Sequence, residues 1–219
     1  MYITYLKHSS FKFQDKTGSE ATTLVTDPFD SKNVGLKMPS LEADIVTISH
    51  GHNDHNNISA IKGSPYIVDS AGEYDVKGVS ILGVETFHDE KKGKDRGQNT
   101  IFRFEIDGIV VTHLGDLGHS LDNKQLQGLV GTDILLIPVG GFYTIDAKKA
   151  VEVVSQIEPR IVIPMHYQTK GLSKEYKDIA SVDKFIKELG IKPTYEEKLK
   201  ISKKDLPQDE MELIIMEKE

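Results

Sequence analysis

Short runs of apolar and β-branched residues recur along the chain at strand length. They are TTLVT (22–26), DIVTIS (44–49), PYIVD (65–69), VSILGV (79–84), TIFRFEI (100–106), GIVVT (108–112), DILLIPV (133–139), RIVIPM (160–165) and MELIIM (211–216). Gly, Pro, Asp or Asn bounds them, which predicts strands. EIDGIV sets an Asp-Gly pair between two such runs and predicts a hairpin there. The helical period shows mainly in the second half. Over DAKKAVEVVSQIEP, Ala147, Ala150, Val151, Val154 and Ile157 share one face and Pro159 follows its end. SVDKFIKELG (181–190) opens on Ser181 as a capping residue and closes on Gly190, with Val182, Phe185, Ile186 and Leu189 together. No linker rich in Pro, Gly or Ser and no fixed-period repeat interrupts this order. Many strands with a few interleaved helices predict a layered α/β domain.

Composition changes that picture little. A chain of 219 residues is long enough for one substantial core, so one domain is expected over 1–219. The 38% hydrophobic and 28% charged content is that of a soluble globular protein. No apolar run approaches the roughly 20 residues that cross a bilayer. The opening MYITYLKHSS lacks the features of a signal peptide. The expectation is a cytoplasmic protein with no membrane partner. There is no cysteine, which excludes disulfides and thiolate metal ligands. A formal charge of −7 without a dense Lys/Arg face argues against nucleic acid as a partner. A small-molecule substrate remains, with assembly as a homo-oligomer left open.

Candidate chemistry is concentrated in ISHGHNDHNN (48–57), where three of the eight histidines and one aspartate lie within six positions. His50 and His52 are two apart, which in an extended segment puts both side chains on one side. Asp54 and His55 follow where NNISAI predicts a turn into a short helix. The spacing differs from the helical H-E-x-x-H arrangement. Four donors on one loop suit more than one ion, and imidazole and carboxylate donors suit zinc, iron or manganese. A polar surface turn is the plain alternative.

Further donors follow other strand-like runs: Asp27 ends TTLVTD, His88 ends VSILGVETFH, Asp116 ends GIVVTHLGD and His166 ends RIVIPMH. If neighbouring strands share direction, these ends meet at one rim, where open α/β sheets bind ligands. Taken singly each is an ordinary strand-end residue; together they describe a site.

SHGHNDH resembles the H-x-H-x-D-H signature of the metallo-β-lactamase superfamily, and His88, Asp116 and His166 match its later ligand motifs in order. GQNTIFRFEIDGIVVTHLGDLGH, DILLIPVGGFYTIDAKKA, IVIPMHY and the opening LKHSSFKF with LVTDPF are similar to the small hydrolase branch related to the ascorbate-phosphate lactonases. The resemblance covers nearly the whole chain; residues 168–210 carry no usable motif. It implies a four-layer αββα sandwich and a dinuclear metal-dependent hydrolase acting on a lactone or phosphoester. It also implies that His50, His52 and His88 hold one divalent ion. Asp54, His55 and His166 would hold the second, with Asp116 bridging both. Two ions, zinc foremost and manganese or iron as alternatives, would supply a shared hydroxide near neutral pH. Asp54 and Asp116 are thus the candidate catalytic carboxylates, and no side-chain nucleophile is needed. A metal- or ligand-binding protein that kept the fold without catalysis is the competing reading.

Other residues carry two readings each. Asp27 is a candidate to hydrogen-bond a ligand imidazole or its loop, against simple turn capping before Pro28. His8 lines the site mouth in the resemblance, or is structural. His113 alternates with Ile109 and Val111, which predicts a buried, hydrogen-bonded side chain, whereas His119 is a candidate to face substrate. Gly140 and Gly141 permit close backbone approach and are candidates to form the rim, against a plain strand-to-helix turn. The loop DEKKGKDRGQN (89–99) offers Lys91, Lys94 or Arg96 to an anionic substrate, or is a solvated charged face.

Overall fold

In ILLIP at 134–138 every residue is buried, and successive side chains must face opposite ways. Ile134 and Leu136 join one apolar cluster while Leu135 and Ile137 join another. A strand buried on both faces reads as a continuous apolar run, and this one lies in the middle of a layered fold.

The computed structural model describes residues 1–15 and 21–217. The first half supplies strands β1 (Tyr2–Lys7), β2 (Ser10–Gln14), β3 (Thr23–Thr26), β4 (Leu41–Glu42), β5 (Ile45–Thr47), β6 (Ile61–Lys62), β7 (Tyr66–Val68), β8 (Gly72–Val76), β9 (Val79–Phe87) and β10 (Gln98–Ile106). The second half adds β11 (Ile109–His113), β12 (Ile134–Pro138), β13 (Ile161–Met165), β14 (Thr194–Tyr195), β15 (Lys198–Lys200) and β16 (Glu212–Ile215). Helices are α1 (Ser31–Val34), α2 (Asn123–Gly128), α3 (Ala147–Ile157) and α4 (Val182–Leu189). One sheet has the order β15-β1-β2-β3-β5-β7, the other β14-β16-β13-β12-β11-β10-β9-β8, and β4 pairs β6 apart from both.

The two sheets bury their inner faces together. Ile3, Phe11, Phe13, Leu24 and Ile45 from the first meet Phe102, Phe104, Val111, Ile134 and Ile163 from the second. Phe13 and Phe104 cross edge to face at 4.9 Å between ring centroids, and both are fully buried. Truncating either would cost about 3–5 kcal/mol. The second sheet's other face carries α3 and α4 through Ala150, Val153, Val154 and Phe185. The first sheet's other face packs Val25 and Val46 against Phe29, Val34, Met38 and Tyr176. These layers make the expected αββα sandwich.

Local expectations meet the structure with small differences. The Asp107-Gly108 turn has φ of 57° and 70°, a left-handed pair that closes the β10–β11 hairpin with Ile106 opposite Ile109. Helix α3 starts at the Asp146 cap, and its buried stripe is wider than the periodicity predicts because Val153 joins it. Helix α4 ends at Gly190 in the left-handed conformation, but the Ser181 hydroxyl donates to Asp183 rather than capping a backbone amide. NNISAI forms a single 3-10 turn at Ile58–Ala60.

Candidate metal centre

Strand direction brings the donors together. β3 and β5 run parallel, so Asp27 and His50 emerge at the same edge of the first sheet. β9 and β11 each pair antiparallel with β10 and therefore share a direction; β12 and β13 run parallel to β11. His88, Asp116 and His166 accordingly follow strands that all end at one rim.

Three overlapping groups form there: His50, His52 and His88; His8, Asp54, His55 and His166; and His50, His55 and Asp116. Within each, one ligand-type atom per residue lies within 4.8 Å of the others. All seven residues read as ligands in the sequence converge, and His8 joins them. Asp116 Oδ2 sits 3.3 Å from His55 Nε2 and 3.2 Å from both His88 Nε2 and His166 Nε2, between the groups. The ring centroids of His50 and His55 are 4.2 Å apart. His52 faces solvent and leaves the site approachable.

One buried carboxylate organises the His50 loop. Asp27 Oδ1 accepts the Ser49 amide at 2.8 Å. Its Oδ2 accepts the Ser49 hydroxyl at 2.6 Å and His55 Nδ1 at 2.8 Å. With its single proton given to Asp27, Ser49 Oγ accepts from His50 Nδ1 at 2.9 Å. This network assigns a proton to Nδ1 of both imidazoles and leaves each Nε2 as the atom offered to an ion, the arrangement that orients metal-binding histidines.

The donor set fits cations. His50 Nε2, His55 Nε2, both nitrogens of His166 and Asp116 Oδ1 are buried without hydrogen-bond partners. Unpaired buried polar atoms are costly, about 1–3 kcal/mol each, and here they belong to residues that gather at one rim. Burial works to raise the Asp116 carboxyl, yet His166 and His55 beside it hold it well below the usual carboxylate range. Burial opposes a charge on His55, but Asp116 and Asp54 hold its imidazolium well above the ordinary histidine value. Burial and the charge on His55 push His50 well below that value, and burial with His166 lowers His8 to about 4. The site thus mixes neutral imidazoles at His50 and His8 with a charged His55 and with carboxylates that stay ionised.

Backbone shape serves the same convergence. His8, Asp27 and His166 all have left-handed φ, of 58°, 41° and 52°, a conformation held only where surroundings enforce it. Gly115 (φ 56°) lets the Asp116 loop pass so close that a Cβ there would lie 2.3 Å from Asn99 Oδ1. A Cβ on Gly140 would lie 2.2 Å from the His166 carbonyl oxygen, so the close approach open to this glycine is made against His166 itself, just past β13.

Several roles come from the structure alone. Asn99, at the start of β10's pairing with β9, is fully buried although the stretch before it reads as exposed. Its Oδ1 accepts the Asp116 amide at 2.9 Å and its Nδ2 donates to the Leu114 carbonyl at 3.0 Å, fixing that turn. Tyr176, from the stretch without motifs, donates to Asp54 Oδ2 at 3.0 Å, and His8 Nε2 meets the same oxygen at 3.1 Å. His8 is therefore buried beside the centre and packs on His166 at 4.3 Å between centroids. His113 is fully buried, donating from Nε2 to the Ser9 carbonyl and accepting the Gly115 amide at Nδ1. His119 stands outside the three groups. Its Nδ1 donates to the Ser120 carbonyl and its Nε2 accepts the Phe87 amide, which pins the end of β9 immediately before His88.

A family model described as a β-lactamase superfamily domain matches residues 2–166. A UPF0173 metal-dependent hydrolase of Methanosarcina mazei is 31% identical, over 76% of this chain and 83% of its own. One of Thermococcus onnurineus is 30% identical, over 76% and 84%. A Thermotoga maritima crystal structure, assigned as a Zn-dependent hydrolase of the metallo-β-lactamase superfamily, is 39% identical. It matches with a TM-score of 0.77 over 98% of this chain and 97% of that one. With its sandwich, its rim of histidines and aspartates and these relatives, the chain belongs to the β-lactamase superfamily, among the UPF0173 metal-dependent hydrolases.

Proposed function

We propose that this protein is a dinuclear metal-dependent hydrolase, a single domain over 1–219, acting on a small-molecule lactone or phosphoester. The observation that carries the reading is the convergence of buried, unpartnered imidazole nitrogens around Asp116. His50, His52 and His88 would hold one ion, Asp54, His55 and His166 the other, with Asp116 serving both. Nitrogen and oxygen donors without thiolate suit zinc first, and manganese or iron as well. Bound there, the ions would supply water of lowered pKa and polarise the bond under attack.

The chain's own residues supply position and charge. Asp27 and Ser49 orient His50 and His55. Asp54 and Asp116 offset the positive charge of the ions, and the donors His8 and Tyr176 keep the Asp54 carboxylate in place. The lactone or phosphoester class rests on the similarity to the ascorbate-phosphate lactonases, and hydrolysis itself on the relatives' descriptions. Metal analysis of the purified protein, joined to a panel of lactones and phosphoesters, tests the proposal. Two divalent ions per chain are expected, with turnover lost to a chelator and restored by reloading. Full turnover in metal-free protein would overturn the metal mechanism. Two bound ions with no turnover on any substrate would favour a binding protein instead.

A further inference from the structure

Beside the metal centre a cleft of about 370 Å³ opens from His88 and runs between the 89–97 loop and the segment that follows β12. Its charges are almost all spoken for. Asp89 accepts the backbone amides of Lys91, Gly93, Asp95 and Arg96 at 2.7–3.0 Å, which shapes the loop. Glu90 pairs with Lys149, Lys91 pairs with Asp95 at 2.7 Å, and Asp146 caps α3. Lys94 lies outside the lining. Arg96 differs: among the described residues no carboxylate lies within ion-pair distance of its guanidinium. That group sits 5.4 Å from the centroid of the Tyr143 ring, a cation–π position that fixes a planar fork without neutralising it. Tyr143 is itself held, donating to the Glu175 carbonyl at 3.0 Å. Next to it Phe142 is 58% exposed at a left-handed φ of 60°, an apolar side chain kept at the cleft wall. Tyr143 continues through Tyr176, at 6.0 Å, to His8 and the metal centre.

We propose that Arg96 is a specificity-determining residue that binds an anionic group, phosphate or carboxylate, on a substrate whose reacting bond lies at the metal centre. The substrate body lies along Phe142 and Tyr143. This deepens the hydrolase reading and rests on it. Arg96 contributes only its backbone amide to Asp89, so Arg96→Gln leaves the loop's internal bonds in place.

Two measurements on metal-loaded protein test the inference. In the first, kcat/KM is compared for the hemiester 4-nitrophenyl succinate and the neutral 4-nitrophenyl acetate. The ratio of hemiester to acetate should fall about tenfold in Arg96→Gln and recover partly in Arg96→Lys. An unchanged ratio would overturn the assignment. In the second, 3-phosphonopropionate is titrated calorimetrically into the wild type and the same variants. Binding should weaken about tenfold in Arg96→Gln, and affinity within twofold of wild type would overturn the assignment. If the wild type hydrolyses neither ester, the titration alone decides whether Arg96 binds anions, and the hydrolase reading stands or falls separately on the lactone and phosphoester panel.

Discussion

Replacing Asp27 by Asn should cripple metal binding while leaving shape almost untouched. The residue is fully buried with φ of 41°, a conformation Asn tolerates well. The Ser49 amide can only donate, so the new side chain must turn its oxygen there and its NH2 toward Ser49 Oγ and His55 Nδ1. His55 must then accept at Nδ1 and carry its proton on Nε2, the atom offered to the ion. Ser49 Oγ, now an acceptor from the amide, directs its own proton to His50 Nδ1 and shifts the second imidazole likewise. Restoring either lone pair for ligation leaves a buried donor facing a donor, at a cost of about 1–3 kcal/mol. That corresponds to about 5- to 150-fold in affinity for each affected site. Competition against a chromophoric chelator measures the loss, and 15N imidazole shifts report which nitrogen is protonated. A variant that binds two ions with wild-type affinity, its His55 still protonated on Nδ1, would refute the proton assignment.

Three further outcomes are expected. Asp116→Ala should lower both metal content and turnover more than Asp27→Asn, because its Oδ2 lies within 3.3 Å of histidines from both groups; retention of two ions and near-normal rates would contradict this. His119→Ala removes the acceptor for the Phe87 amide and should cost about 0.5–1.5 kcal/mol in denaturant melts with metal content unchanged, so loss of an ion would count against its place outside the centre. Since His55 is held charged above the ordinary histidine pKa without metal, ligation must displace its proton. Affinity should therefore rise with pH up to that elevated pKa, and loading at pH 7 should release a proton. Calorimetry in buffers of different ionisation enthalpy detects the release, and a flat pH dependence would contradict it.

Much of the site was legible because its donors follow strands. Asp27, His50, His88, Asp116 and His166 each end or follow an apolar run, and the shared direction of those strands within each sheet turns that one-dimensional regularity into a rim. The buried helical faces were legible for the same reason, through period alone. Less visible was the β1–β2 hairpin: FKF alternates, as a strand with uneven burial does, and does not make the continuous apolar run that marks doubly buried strands such as β12. Asn99 escaped notice because its neighbours in DEKKGKDRGQN are charged, and a buried hydrogen-bonding role leaves no local pattern. Tyr176 reaches Asp54 only through tertiary packing, across a stretch with no periodicity of its own. Ser49 reads as the polar end of a strand until the Asp27 carboxylate is seen beneath it. Positioning residues of this kind are specified by three-dimensional contact, whereas ligands advertise themselves by type and spacing.

Ownership of the rim is divided between the two sheets. The first sheet's loops carry Asp27 and the His50–His55 loop, and the second sheet's carry His88, Asp116 and His166. Among the described residues neither half holds all the donors of the proposed centre, so an ion bound there would act as a seal between the two sheets. Stripping the ions should loosen the rim first and leave the hairpin at Asp107, at the far end of β11, closed. Hydrogen exchange along the chain would then show the seam parting from one end.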